Sequence, residues 1–372
     1  MATNKKILLL ASFLFLASLA LSSCSFFNPG KATKIVLKAE AGSTVDALQR
    51  TCTMLKQRLK GMVNDPEAVS DPAQNAITVT FKSNADIGRI KARILASGDL
   101  KFFDTYDNAD VVKLLMRLDD SLGIVLKKEH VDDPPKKAIA APKEEPIKDS
   151  GDIRSYMGRQ QPDEEKKRRT QIEEALKKHP LFKVLNPNLG TDFTVAPGPV
   201  IGYVAVKDTA MVNKYIRGPL AHSLFPADMQ IIYGSPETRV YADTVADPFT
   251  FLPVYALKII PGESPVEASE HISKAKADIN GNVRCVSMDM DKDCAARWAA
   301  MTTRDTGKYV AIVLGDIVYS CPRVDNPITK GKTEISGAFN LEQAQDLAAV
   351  LLCGKLLLKL TIESIETEPD KK

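Results

Sequence analysis

Between residues 34 and 106 the apolar side chains alternate between the two-residue rhythm of a strand and the 3.6-residue rhythm of a helix. No other feature narrows the fold as much. In Lys34–Glu40, Ile35, Leu37 and Ala39 share one face, as in a strand with one apolar side. Val45, Leu48, Cys52, Leu55 and Leu59 then fall at helical spacing, and Ser43 or Thr44 can cap the start. Glu67–Ser70 is a short extended piece, and Asp71-Pro72 opens a turn. Ile77, Val79 and Phe81 alternate with Thr78, Thr80 and Lys82, which predicts a half-buried strand. Ile87, Ile90 and Ile94 make a second helix, and Leu100–Tyr106 makes a last strand.

The order strand, helix, strand, strand, helix, strand is the split β-α-β pattern of a ferredoxin-like α/β sandwich. Val111–Leu118 adds a helix. Lys127–Asp152, which reads KKEHVDDPPKKAIAAPKEEPIKDSGD, holds too few large apolar residues to offset its ordering entropy and predicts a mobile insertion. Asp163–Lys178 reads as a charged, solvent-facing helix. Strands follow at Val200–Val206, Gln230–Tyr233 and Val254–Ile260, with a helix at Ala210–Leu220.

The closing block is a strand at Val283–Met290, then a helix at Asp291–Thr303 burying Cys294, Ala295, Trp298 and Ala299. A hairpin of Tyr309–Leu314 and Ile317–Val324 turns at Gly315-Asp316, a pair suited to positive φ. Asn340 and Gln343 form a capping box, Ala344, Leu347, Ala348, Leu351 and Leu352 face inward, and Gly354 closes the helix. Leu356–Ile365 returns as a strand. The expected class is α+β: a ferredoxin-like α/β sandwich base plus a smaller α+β head domain, with a charged mobile insertion. The expected division is 1–23 signal peptide, 24–32 tether, 33–107 base unit, 108–180 helix and insertion, 181–262 second base unit, and 263–372 head with return strand.

The first residues set the compartment. Lys5 and Lys6 form a basic head, Ile7–Leu21 is apolar, and Leu21-Ser22-Ser23-Cys24 follows. Small residues before a cysteine mark a lipoprotein signal, cut in front of Cys24, whose thiol is the lipid attachment site. The apolar run is shorter than the roughly 20 residues a spanning helix needs. Acyl chains, each CH₂ contributing about 0.8 kcal/mol, would hold the mature chain on a membrane. That places it in the cell envelope, facing the periplasm.

Composition removes several function classes. Losing Lys5 and Lys6 lowers the formal charge from +3 to 48 basic against 47 acidic residues, which is no footprint for nucleic acid. After Cys24, the cysteines are Cys52, Cys285, Cys294, Cys321 and Cys353, with no Cys-x-x-Cys. They read as small core residues. The compartment also permits one bridge among the last four, which spacing cannot assign. Gly331-Lys332-Thr333 resembles the end of a phosphate loop, but Asn326 stands where that loop needs its first glycine. Asp289, Asp291 and Asp293 open like a calcium loop, but Cys294 and Ala300 occupy its glycine and glutamate positions. His130, His179, His222 and His271 lie far apart, and no Gly-x-Ser-x-Gly occurs. The reading is a non-enzyme with no catalytic residue, no cofactor and no metal site.

The stretch VSMDMDKDCAARWAAMTTRDTGKYVAIVLGDIVYSCPRVDNPITKGKTEISGAFNLEQAQDLAAVLLCGKL resembles the first periplasmic domain of SecD, an accessory subunit of the Sec translocon. PVIGYVAVKDTAMVNKYI, FPADMQIIYG, VYALKII and DLKFFDTYDNADV resemble the fused SecDF of the Bacteroidetes type, so the likeness covers nearly all of the mature chain. The family-motif turn positions are Gly315, Asp316, Pro322, Gly331 and Gly337. Gly315-Asp316 reverses the family's Asp-Gly, Cys321 replaces the alanine before Pro322, and Lys330 replaces the first of two glycines. On this resemblance the family's membrane bundle, with its proton-coupling carboxylate and arginine, is not expected in this chain. The resemblance implies a module that holds unfolded secretory protein or docks on Sec translocon components. The alternative is a repurposed scaffold lipoprotein that binds a folded envelope partner. Cys24→Ala is expected to leave an unprocessed precursor on a gel shift with labelled palmitate; normal processing and acylation of that variant would refute the lipoprotein reading.

Overall fold

The computed structural model describes residues 30–131, 179–190, 194–239, 249–281, 283–337 and 340–368. The signal peptide, Cys24, most of the insertion and the Asp163–Lys178 helix lie outside the described residues. In chain order the elements are β1 (Lys31–Ala39), α1 (Val45–Leu59), β2 (Asn64–Asp71), β3 (Ala76–Ser83), α2 (Ile87–Leu95), β4 (Leu100–Thr105) and α3 (Asn108–Val131). Next come β5 (Leu185–Pro187), β6 (Val200–Ala205), α4 (Thr209–Ile216), α5 (Pro219–Leu224), β7 (Met229–Gly234), β8 (Glu237–Arg239), β9 (Phe249–Lys258) and β10 (Val266–Glu267). The last are β11 (Ile272–Asn280), β12 (Val283–Met290), α6 (Lys292–Arg304), β13 (Val310–Leu314), β14 (Ile317–Ser320), β15 (Lys332–Ser336), α7 (Leu341–Cys353) and β16 (Leu360–Thr367). The chain is α+β and divides into two compact units, residues 1–98 with 349–372, and residues 99–348.

The first unit is a four-stranded antiparallel sheet in the order β16-β1-β3-β2, one face covered by α1 and α2. Thr44, not Ser43, caps α1 by accepting from Ala47 N at 3.2 Å, and Asp86 caps α2 from Arg89 N at 2.8 Å. Leu48, Leu55 and Leu59 of α1 meet Ile35, Leu37, Ile77 and Val79 from the strands and Ile90 and Ile94 from α2. This is the ferredoxin-like order, but its fourth strand differs from the expectation. Leu100–Thr105 does not join this sheet; β16 pairs with β1 instead, through Ile35↔Ile365 and Leu37↔Ile362. The burial of each strand explains the exchange. Leu100, Phe102, Phe103 and Asp104 are all buried, so β4 needs cover on both faces. β16 alternates between covered and exposed residues, as suits a sheet with one wet face.

Arg58 fastens this arrangement. It is fully buried on α1, and its Nη1 donates to Ile94 O at 3.4 Å and to Ala96 O. Its Nη2 donates to Ser97 O at 3.4 Å and Gly354 O at 2.9 Å. These carbonyls end α2 and α7, where no intrahelical donor remains. Burial pushes the guanidinium down to about 10. Beside it, Gly98 has φ +73°, and a Cβ there would sit 2.2 Å from Gly354 O, so only glycine fits. Leu356 N closes the crossing by donating to Ser97 O at 2.7 Å.

In the second unit the sheet runs β10-β4-β13-β14-β7-β9-β6-β5, with β8 on β9. β4 also pairs with β9, through Asp104↔Lys258 and Thr105↔Leu257, so β4, β13, β14, β7 and β9 close into a ring. Phe103, Ile232, Tyr255, Leu257, Ala311, Val313 and Val318 pack together among these strands. α3 covers another part with Val111, Leu115, Leu118 and Leu122 against Ile201, Val204 and Val254. It extends past the expected Leu118 to Val131, into the stretch expected to be mobile, because its apolar positions keep helical spacing through Leu122. β11 was not anticipated. Its sequence, ISKAKADIN, is too polar to advertise a strand, and it forms because β12 offers it a partner.

Arg58→Leu would leave several buried carbonyls without donors, each costing about 1–3 kcal/mol. We expect it to destabilise the first unit by roughly 3 kcal/mol or more, read as a lower urea midpoint with unchanged slope; an unchanged midpoint would refute the fastening role.

Candidate functional site

The candidate site is the three-stranded sheet β11-β12-β15 with α6, the helix that follows β12. Met288 and Met290 of β12 and Trp298 and Met301 of α6 are buried. Asp291, which the calcium-loop test had singled out, caps α6: its Oδ1 accepts from Cys294 N at 2.9 Å, and its Oδ2 pairs with His271 Nδ1 at 2.7 Å. The Cys294 amide and His271 hold its carboxyl below the usual carboxylate range. Gly331-Lys332-Thr333 runs into β15 rather than a helix, so no helix N-terminus follows it to receive a phosphate.

Two contacts seat α6 on the ring of strands. The Trp298 and Phe102 rings lie 4.3 Å apart, tilted by 35°. At the helix end, Arg304 Nη2 donates to both oxygens of Asp104 at 2.7 Å and to Asp305 at 3.0 Å, while Nη1 reaches Glu263. Lys308 Nζ adds a bond to Asp305 at 3.1 Å. Burial and the neighbouring Asp305 push the Asp104 carboxyl up. Burial acts the same way on Asp305, but the Arg304 and Lys308 hydrogen bonds bring it below the usual range. Sequence reading missed this cluster, since Asp104 and Arg304 lie 200 residues apart and nothing local marks either.

The expected turn positions are each engaged in a different place. Gly315 has φ +63° and donates to Asp99 O at 2.8 Å; Asp316 follows it in the same turn. Pro322 O accepts from Val310 N at 3.1 Å. Gly331 has φ +65°, and a Cβ there would lie 2.6 Å from the Ala295 Cβ. Gly337 directly follows β15. These contacts shape the scaffold and point at no common pocket. Cys52, Cys285, Cys294, Cys321 and Cys353 are free thiols, and burial pushes all five up. His179 meets Asp119 at 2.6 Å, with Asp120 close by. Asp119 is already committed, since its other oxygen accepts from Leu181 N at 2.8 Å.

Among the described residues the sheet has an open edge at β11, with β12 on one side and no strand on the other. It is nine residues long without proline or glycine, so its outer amides and carbonyls form a continuous row. Ala275 and Ala277 leave space beside that row, and Ile279 is exposed. Lys274 and Lys276, with the irregular pairing between Ile272 and Lys274, discourage two copies of the edge from pairing. Such an edge can accept an extended chain through backbone hydrogen bonds, with little demand on sequence.

Residues 256–358 match the family described as SecDF, P1 head subdomain. Over these residues the chain is similar to the head subdomain of SecD-type periplasmic domains. The protein translocase subunit SecD of Rhodothermus marinus is 34% identical over 180 residues, covering 48% of this chain and 26% of that protein. SecD of Acidaminococcus fermentans is 38% identical over 90 residues, covering 24% of this chain and 21% of that protein. The chain thus spans about a quarter of the length of these SecD relatives. A crystal structure of SecDF in a super-membrane-facing form aligns with TM-score 0.46 and 17% identity, covering 98% of this chain and 35% of the other. A second SecDF structure aligns with TM-score 0.42 and 18% identity, covering 90% and 99%. The SecD-type head holds β11, β12, β15 and α6 within the matched residues.

Arg304→Ala would leave Asp104 and Asp305 adjacent and buried, with Lys308 as the remaining cation on the pair. We expect a loss of about 2–4 kcal/mol in urea unfolding at neutral pH; a loss below ~0.5 kcal/mol would show that Arg304 acts only as a surface charge.

Proposed function

We propose that the chain is a lipid-anchored, non-enzymatic accessory of protein export that holds unfolded preprotein, facing the periplasm. The observation that carries this reading is the SecD-type head with the open edge of β11 inside it. Relatives of that head are subunits of a protein translocase. An export client arrives extended, with its backbone groups unpaired, and backbone pairing is the recognition mode that accepts many sequences. Among the described residues no helix is long and apolar enough to cross a membrane. Attachment through Cys24 would supply the membrane contact. The motif reversal at Gly315-Asp316 keeps the positive φ at the glycine and leaves the hairpin intact.

Binding of the chain from Ser25 onward to an unfolded secretory protein, and to the same protein folded, tests the reading by fluorescence anisotropy. We expect a preference for the unfolded form of at least about tenfold, or ~1.4 kcal/mol. No binding to either form well above micromolar concentration would overturn client holding and favour a scaffold for a folded envelope partner.

A further inference from the structure

We infer that β11 offers an added strand the outward backbone groups of Ala275 and Ala277, with Asp278 closing the row beyond them, and that it selects short extended segments in which apolar residues alternate with acidic ones. This deepens, and rests on, the client-holding reading of the same edge.

The phase of the hairpin decides which groups face outward. In an antiparallel pair, alternate residues direct both backbone groups at the neighbouring strand, and the residues between them direct theirs away. On β12 the even-numbered residues turn to β15, since Met290 N donates to Gly331 O at 2.9 Å. The odd-numbered ones turn to β11, and just past the strand Asp291 N donates to His271 O at 2.9 Å. Asp289, Ser287 and Cys285 stand opposite Lys274, Lys276 and Asp278, so these three direct their backbone groups at β12. Ala275, Ala277 and Ile279 therefore present their N–H and C=O groups to the open side. The two alanines are roughly 6.8 Å apart, the repeat at which an antiparallel strand pairs.

Both ends of this short row are closed. The outward amide of Ile279 donates to Asp278 Oδ1 at 3.0 Å. The other Asp278 oxygen accepts from Ser287 Oγ at 3.2 Å and pairs with Lys276 Nζ at 2.7 Å. The Lys276 and Ile279 hydrogen bonds hold this carboxyl below the usual carboxylate range, so it remains an acceptor at neutral pH. At the other end the register slips between Ile272 and Lys274, and the Ser273 hydroxyl donates to Asp289 O at 3.0 Å.

The side chains beside the row set the composition of the added strand. Ala275 and Ala277 share a face with Met288 and Val286, both buried, and with Ile279, which is 62% exposed. Residues of the added strand opposite the alanines fall on this face, where the small methyl groups leave room for larger apolar side chains. The other face carries Lys274 and Lys276, whose side chains are 80% and 72% exposed. Acidic residues of the added strand fall opposite these lysines, whereas one opposite Asp278 would meet a like charge. The same charges thus choose the alternation and fix its register.

The chain from Ser25 onward is tested with three capped, labelled peptides of about eight residues, within the usual strand length. One alternates valine with glutamate, one alternates valine with lysine, and one has the valine–glutamate composition with its valines grouped. We expect the first to bind at least about fivefold more tightly than either of the others by fluorescence anisotropy. Ala277→Pro removes an outward amide and no bond to β12, a place where edge strands tolerate proline. It is expected to weaken binding at least about tenfold with an unchanged urea midpoint. Lys274→Glu combined with Lys276→Glu alters two exposed side chains and is expected to turn the preference to the lysine peptide. Asp278→Ala frees the Ile279 amide and is expected to tighten the first peptide about threefold. Equal affinity for the three peptides would overturn the inference, as would a preference that survives the double charge reversal. An unfolded secretory protein that binds Ala277→Pro as tightly as the native chain would also overturn it, while leaving client holding itself standing. A native dimer that Ala277→Pro dissociates would make a second copy the occupant and overturn it too.

Discussion

Arg58 donates to Ile94, Ala96, Ser97 and Gly354, partners as far as 296 residues apart in the sequence. The rest of the first unit depends on this contact. The chain leaves the unit after Gly98 and returns to it at residue 349, so the sheet is complete only when its two ends are held together. A guanidinium suits the task because it presents five donors in a rigid fork to carbonyls that lack partners. Its charge is costly to bury, which is why its proton is held less tightly than usual. Gly98 then lets the two backbones pass at a distance that no side chain would allow.

The second unit uses the same economy of long-range pairs. Phe102 on β4 stacks against Trp298 on α6, and Asp104 on the same strand receives Arg304 from the end of that helix. β4 is thus held by α6 on the face that carries Phe102 and Asp104, packs Phe103 among the ring strands on the other, and pairs with β9 at Lys258. The ring contrasts with the head sheet, where among the described residues β11 has a strand on one side only. Natural sheets ordinarily cover or shorten such a strand. Here lysines and an irregular register guard it against its own copies while leaving it open to a chain of another sequence.

Much of the first unit was legible because its helices and strands announce themselves by period. Leu48, Cys52, Leu55 and Leu59 form the buried helix face their spacing announced, with Val45 at the helix start left exposed, and Ile77, Val79 and Phe81 form the strand face. The capping box at Asn340 and Gln343 was also readable, and both of its hydrogen bonds form at 2.8 Å. Asp289-Asp291-Asp293 was readable as a strand end running into a helix cap, and Asp291 does cap α6. β11 was invisible: a strand that borrows its order from a neighbour has no need of an apolar face. The Asp104–Arg304–Asp305 cluster was invisible for a different reason, since charged residues are unremarkable until something buries them.

By itself the sequence determined that the protein is α+β, where most helices begin and end, and that a SecD-like block closes the chain. Those properties rest on local spacing and on turn residues, which act over a few neighbours. Only the tertiary structure decided that Leu360–Thr367, and not Leu100–Thr105, is the fourth strand of the base. Both segments are competent strands, and pairing is chosen by which strand can bury both faces. Only the tertiary structure, likewise, put a buried arginine at the crossing of the chain and left β11 with a free edge. Partners remote in sequence meet only after folding, so no local pattern records them.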